Sequence, residues 1–119
     1  MDARQDFGRA SEKQAERFLR AQRHRILARN YRTRQGEIDI VSLARDGVVV
    51  FTEVRSKHDC EFGHPIETVD VRKQKRIRAA ARQFLQAHPR YQAHACRFDV
   101  ITVVGEGKSA QLEHFPDAF

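Results

Sequence analysis

Two acidic residues interrupt segments that otherwise read as apolar strands. Asp39 lies within EIDIVSL (37–43), and Glu53 lies within VVVFTEVRSK (48–57). A carboxylate in mid-strand is unfavourable for strand formation and costly if it is buried without a partner. Two such carboxylates repel each other unless a cation lies between them. Since carboxylate oxygens suit Mg²⁺ or Mn²⁺, we expect the pair to bind one of these ions.

A turn signal between the two segments predicts how the acids meet. Residues 45–47 (RDG) are typical of a hairpin turn, which would set the two strands side by side. Alternation along a strand places Ile38 and Ile40 on one face and Asp39 on the other. Glu53 could then share a face with Asp39. The alternative is that each carboxylate pairs separately with one of the many arginines of the chain.

Three more residues are candidates for the same site. Glu12 lies about 20° from Leu19 on a helical wheel, so it borders the buried stripe of the first helix and could reach the acids. Taken alone, Glu12 would be interpreted as a solvent-exposed residue beside that stripe. Arg55 and Lys57 follow Glu53 on the same strand face and would supply positive charge.

The remaining patterns predict one domain over residues 1–119, in which a mixed sheet is flanked by helices. The valines and phenylalanine of 48–51 are apolar on both faces, which is typical of a central strand covered on both sides. The order is α-β-β-β-α-β with an extra edge strand. The predicted helices are 6–22 and 70–87, the predicted strands are 25–32, 37–43, 48–57, 97–104 and 111–115, and 58–68 is a predicted loop.

Several segments together resemble a known family. GEIDIV (36–41) followed by VFTEVRSK (50–57) looks like the D-(x)n-E-x-K signature of the PD-(D/E)xK nuclease superfamily. Within it, the chain resembles the YraN-like family of bacterial proteins, which is related to archaeal Holliday junction resolvases. The resemblance covers nearly the whole chain. It includes Ser11-Glu12, Asn30-Tyr31-Arg32, Gly63, Pro65, Lys73 and Arg97-Phe98-Asp99-Val100.

The resemblance implies a restriction-endonuclease-like αβββαβ core and Mg²⁺-dependent hydrolysis of phosphodiesters. Asp39 and Glu53 would be metal ligands, and Glu12 an outer ligand or a residue that positions water. The chain departs from the superfamily at Arg55, where a lysine is expected, and Lys57 is the nearest substitute. Arginine can stabilise a phosphate but stays protonated and cannot act as a base.

Basic residues are concentrated in the second predicted helix. The net charge of +6 and pI near 9.9 favour a polyanionic partner. Lys73 stacks with Ile77 and Ala80 and should lean toward the sheet. The other basic side chains spread over the outward face, where they either follow phosphates or are simply solvated. The nucleic-acid-binding candidates are Lys57, Arg72, Lys73, Lys75, Arg76 and Arg82.

These observations lead to one preferred function and two alternatives. The preferred function is a metal-dependent nuclease acting on DNA, with branched or repair intermediates implied by the resemblance alone. The alternatives are a nucleic-acid-binding module that lost the chemistry and a protein-interaction scaffold. No apolar run approaches the roughly 20 residues of a membrane span, and residues 1–9 lack a signal peptide's apolar stretch, so we expect a cytoplasmic protein. The related resolvases leave a homodimer open.

Overall fold

A computed structural model describes residues 3–56, 69–105 and 107–119, with side chains from residue 8 onward. Within these ranges two helices enclose a five-stranded sheet of order β1-β2-β3-β4-β5. The elements are α1 (Ala3–Ala21), β1 (Arg25–Arg32), β2 (Glu37–Leu43), β3 (Val49–Ser56), α2 (Val71–Ala87), β4 (Cys96–Val104) and β5 (Gln111–Phe115). The predicted mixed α/β fold is confirmed. The predicted loop at 58–68, and Lys57, lie outside the described residues.

The predicted hairpin and central strand are also confirmed. β2 and β3 pair antiparallel, and Gly47 turns the chain between them with a φ of 91°. β3 then pairs with β4 in parallel, so β3 occupies the middle of the sheet. Val49, Val50 and Phe51 are at most 1% exposed because helices cover both faces.

Each helix covers one face of the sheet with an apolar stripe. Ala15 and Leu19 of α1 pack against Ile40, Ile101 and Val103. On the opposite face, the stripe of α2 packs against β2, β3 and β4. That stripe consists of Ile77, Ala80, Ala81 and Phe84, as its spacing predicts. The core is therefore a three-layer α/β/α arrangement.

The start of α2 is fixed by a cap and by a close contact with the β1–β2 turn. The Asp70 carboxylate accepts a hydrogen bond from the Lys73 backbone N–H at 2.8 Å. The turn of residues 33–36 closes when the Thr33 backbone N–H donates to the Gly36 carbonyl. A Cβ atom at Gly36 would lie only 2.4 Å from the Arg76 carbonyl oxygen. Glycine at this position lets the turn lie directly on the helix backbone.

Candidate active site

The alternation expected around Asp39 is wrong. Ile38 belongs to the core cluster under α2, whereas Ile40 packs in the cluster under α1. In β1, Asn30 adopts a left-handed backbone with a φ of 49°. The pairs of β1 with β2 run from Arg29 and Ile40 to Tyr31 and Ile38, without a pair between Asn30 and Asp39. The two-residue period of β2 is therefore interrupted between Ile38 and Ile40, at Asp39.

Asp39 sits where β2 and β3 separate. Backbone pairing between these strands ends at Ile40 and Thr52, one position before Asp39 and Glu53. Beyond that point β2 stays paired with β1, and β3 stays paired with β4. The Asp39 carboxylate accepts the Val54 backbone N–H at 2.8 Å. A side chain therefore satisfies a strand N–H close to the position where the pairing stops.

Glu53 is held by cations on the side of α2. Its side chain is 7% exposed, and its Oε1 lies 2.8 Å from the Lys73 Nζ and 3.7 Å from the Arg55 Nε. The prediction that Lys73 leans toward the sheet is confirmed by this contact. The Arg55 side chain is itself only 13% exposed. Glu53 thus has cationic partners, as the alternative of separate ion pairs required, whereas Asp39 is held by a backbone N–H.

Glu12 approaches Asp39 from α1. Both residues line a cavity of about 230 Å³ on the α1 side of the sheet. The Asn30 side chain also lines it and forms a hydrogen bond with Glu12. Asn30 was not among the residues predicted for the site. An asparagine inside a predicted strand is nevertheless a signal, since strands are depleted in asparagine and asparagine tolerates left-handed geometry.

The pKa values of Asp39 and Glu12 are raised mainly by burial and further by neighbouring negative charge. Burial raises the pKa of Asp39 well above its usual range, and the charge of Glu53 raises it further. Burial also raises the pKa of Glu12, against a lowering effect of the hydrogen bond with Asn30. The charges of Glu37 and Glu53 add to that rise. Desolvated carboxylates that repel one another are stabilised by a bound cation, so the site is electrostatically suited to one.

The donor set fits a hard divalent ion that brings its own water and phosphate ligands. Among the described residues no group of three or more histidine, cysteine or acidic side chains has metal-holding geometry. Mg²⁺ does not need such a cage, because one or two carboxylates together with water and substrate phosphates are a common ligand set. Asp39 and Glu53 are the two carboxylates that would hold it.

The predicted nucleic-acid-binding residues of α2 fall into two groups. Arg72, Lys75, Arg76 and Arg82 are exposed on the outer face, whereas Lys73 turns inward to Glu53. Lys57 lies outside the described residues. Arg78 belongs to neither group, because its guanidinium stacks over the Phe98 ring, 4.7 Å from the ring centroid. The exposed set gives α2 a basic outer surface beside the acidic site.

A second polar cluster lies on β4 and was not assigned a role from the sequence. Asp99 is fully buried and accepts hydrogen bonds from the Arg97 Nε at 3.0 Å and the Asp117 backbone N–H at 3.0 Å. The His114 Nε2 lies 2.7 Å from the same carboxylate. These bonds lower the pKa of Asp99 against the raising effect of its burial. The cluster ties β4 to β5 and to the C-terminal residues.

The mixed five-stranded sheet and its two covering helices form a restriction-endonuclease-like αβ core. The chain belongs to the family described as "Uncharacterised protein family UPF0102", whose model matches residues 11–103. This agrees with the YraN-like resemblance. In the described residues no helix is long and apolar enough to cross a membrane.

Curated relatives match the chain over nearly its whole length. A UPF0102 protein of Stutzerimonas stutzeri is 42% identical over 119 residues, covering 100% of this chain and 98% of the relative. One from Myxococcus xanthus is 43% identical over 116 residues, covering 98% and 90%. One from Pseudomonas entomophila is 45% identical over 113 residues, covering 94% and 91%. Family membership therefore applies to the whole domain.

Proposed function

We propose that this protein is a nuclease that uses Mg²⁺ or Mn²⁺ to hydrolyse phosphodiester bonds in DNA. The observation that carries the proposal is the separation of β2 and β3 at Asp39 and Glu53. It leaves two crowded carboxylates beside Lys73 and Arg55. The bound ion would polarise the phosphate and lower the pKa of an attacking water.

The side chains around the acids have separate tasks in this proposal. Asp39 and Glu53 hold the ion. Glu12, across the cavity from Asp39, orients water at its edge. Lys73 and Arg55 place positive charge where the phosphate gains negative charge, which is the usual electrostatic contribution to phosphoryl transfer. Arg55 can grip two phosphate oxygens with its planar fork but cannot accept a proton.

The test is a cleavage panel with the full chain on single-stranded, duplex and branched DNA, each with Mg²⁺ and with Mn²⁺. We expect weak cleavage favoured by Mn²⁺, lost in Asp39→Asn and retained in Glu113→Gln. The second variant makes the same acid-to-amide change at an exposed position on β5. Arg55→Lys should leave activity unchanged or raise it. Calorimetric titration with Mn²⁺ should show weaker binding in Asp39→Asn than in Glu113→Gln.

A second candidate function is a nucleic-acid-binding module that kept the fold and lost the chemistry. The observation that favours it is Arg55 in place of lysine, together with the ion pairs that already satisfy Glu53. If neither the wild type nor Arg55→Lys cleaves any substrate with either metal, the nuclease proposal fails. DNA binding that weakens with salt would then support the module.

A further inference from the structure

A groove of about 450 Å³ opens between the β1–β2 turn and the first turns of α2. Arg32 stands on the β1 side, while Arg72, Lys73 and Arg76 stand on the helix side. Of these four, only Lys73 carries a role in the acidic site itself. Arg32 lies on β1, outside the basic run of α2, so its place opposite that run follows only from the fold.

The acids that line the groove are already engaged. The Asp70 carboxylate caps α2 by accepting the Lys73 backbone N–H. Glu37 lies 3.5 Å from the Arg32 Nε, in a pair whose side chains are 77% and 63% exposed for arginine and glutamate. Exposed pairs of this kind are weak and yield easily to a stronger anion. Even with Lys73 assigned to Glu53, three arginines against two acids leave the groove with a positive excess.

The groove is joined to the acidic site by one side chain. Lys73 lines the groove and also contacts Glu53 at 2.8 Å. A DNA strand with one phosphate at Asp39 and Glu53 would therefore pass Lys73 where it continues over the start of α2. There the positive end of the helix and the guanidinium forks of Arg72 and Arg76 would meet the next phosphate.

We propose that this groove is a phosphate subsite that takes the DNA backbone phosphate next to the scissile one, with Arg32 and Arg76 as its opposing clamps. The inference deepens the proposed function and rests on it for the identity of the ligand. The groove is lined by guanidinium and ammonium groups that match phosphate oxygens, so we assign the contact to the backbone of the DNA.

The test measures DNA affinity against salt for full-length protein in EDTA, so that binding is read without cleavage. Arg32→Gln and Arg76→Gln should each lower the log–log salt slope on duplex DNA, and the double variant should lower it by about 0.9, because the two arginines hold one phosphate. The control is Arg90→Gln, which removes the same charge from an exposed arginine outside the groove. We expect it to leave the slope unchanged. Arg32→Lys should retain the slope, because the charge remains.

Two results would overturn the subsite. One is an equal loss of slope in Arg32→Gln, Arg76→Gln and Arg90→Gln, which would mean diffuse attraction. The other is an unchanged slope in the double variant while its melting temperature stays at the wild-type value. Titration with pyrophosphate distinguishes a DNA phosphate from a small phosphate ligand. If pyrophosphate perturbs the side-chain NMR signals of Arg32 and Arg76 and DNA does not, the groove binds a small phosphate ligand and the DNA subsite is wrong. Failure of cleavage with the slope losses intact removes the nuclease and keeps the subsite as a binding feature.

Discussion

Gly36 is the point at which a single methyl group should disturb both the fold and the groove. In Gly36→Ala the new Cβ would lie 2.4 Å from the carbonyl oxygen, 2.8 Å from the carbonyl carbon and 3.0 Å from the Cβ of Arg76. Ordinary contact distances are about 3.5–4.0 Å, so the turn and the helix must separate by roughly 1 Å. Both sides of the contact are backbone, and neither can swing away as a side-chain tip could.

The expected cost is that of overpacking a well-packed contact, about 1–3 kcal/mol in the free energy of unfolding. For a domain of this length, about 1 kcal/mol corresponds to roughly 4 °C in melting temperature, so we expect a fall of about 4–12 °C. Gly8→Ala is the matched control. It adds the same methyl group to α1, where nothing lies within 4 Å. There alanine should stabilise the helix by up to about 1 kcal/mol.

The melting temperature and the urea midpoint should therefore fall in Gly36→Ala and rise in Gly8→Ala. The displaced turn should also spread Arg32 away from Arg76, so Gly36→Ala should lose salt slope in DNA binding whereas Gly8→Ala should not. A Gly36→Ala protein that melts with the wild type would refute the close contact of turn and helix. Destabilisation by both variants alike would mean that the loss comes from the added methyl group in general.

Three further predictions concern the acids and their partners. Burial and the neighbouring acid raise the folded-state pKa of Asp39, so metal-free protein should lose stability as pH rises from about 3.9 through that raised pKa; Asp39→Asn should lack this loss in urea denaturation at a series of pH values. Asp99→Ala should destabilise by about 3–5 kcal/mol, because Arg97 would lose its buried partner, and a melting temperature near that of the wild type would contradict the role given to the cluster. Asn30→Ala should be less stable than Asn30→Gly by about 1–2 kcal/mol in the free energy of unfolding, because of the left-handed backbone; equal melting temperatures would refute the backbone argument. NMR titration should show a still higher pKa of Glu12 in both variants, because the hydrogen bond from Asn30 is lost.

The elements could be predicted from the sequence because their signals are local. β1, β2 and β5 begin and end at the predicted residues, and α2 begins one residue later than predicted, behind its Asp70 cap. The apolar run at 48–51 identified the central strand, since only a strand covered on both faces tolerates it. The spacing of apolar residues was sufficient to predict a helix or strand wherever that element buries one continuous apolar face.

The candidate site was harder to predict from the sequence, because it depends on departures from regular secondary structure. Alternation failed at Asp39, because Ile38 and Ile40 on either side of it pack on different faces of the sheet. The groove depends on Gly36 touching a helix that begins 35 residues later in the chain, at Val71. Such long-range contacts leave little trace in one sequence, so Arg32 could not be grouped with Arg76 in advance.

The parallel pairing of β3 with β4 also sets the order in which the chain assembles. β1, β2 and β3 join neighbours in sequence, whereas the first pair across the parallel seam joins Val49 to Cys96. Closing so long a loop costs entropy before any contact rewards it, so we expect the three-stranded meander to form first and the seam last. Pulse-labelled hydrogen exchange should protect β2 amides before β4 amides. On this route Asp39 and Glu53 come together before α2 docks Lys73 against Glu53, so we expect their repulsion to oppose formation of the meander until the lysine arrives.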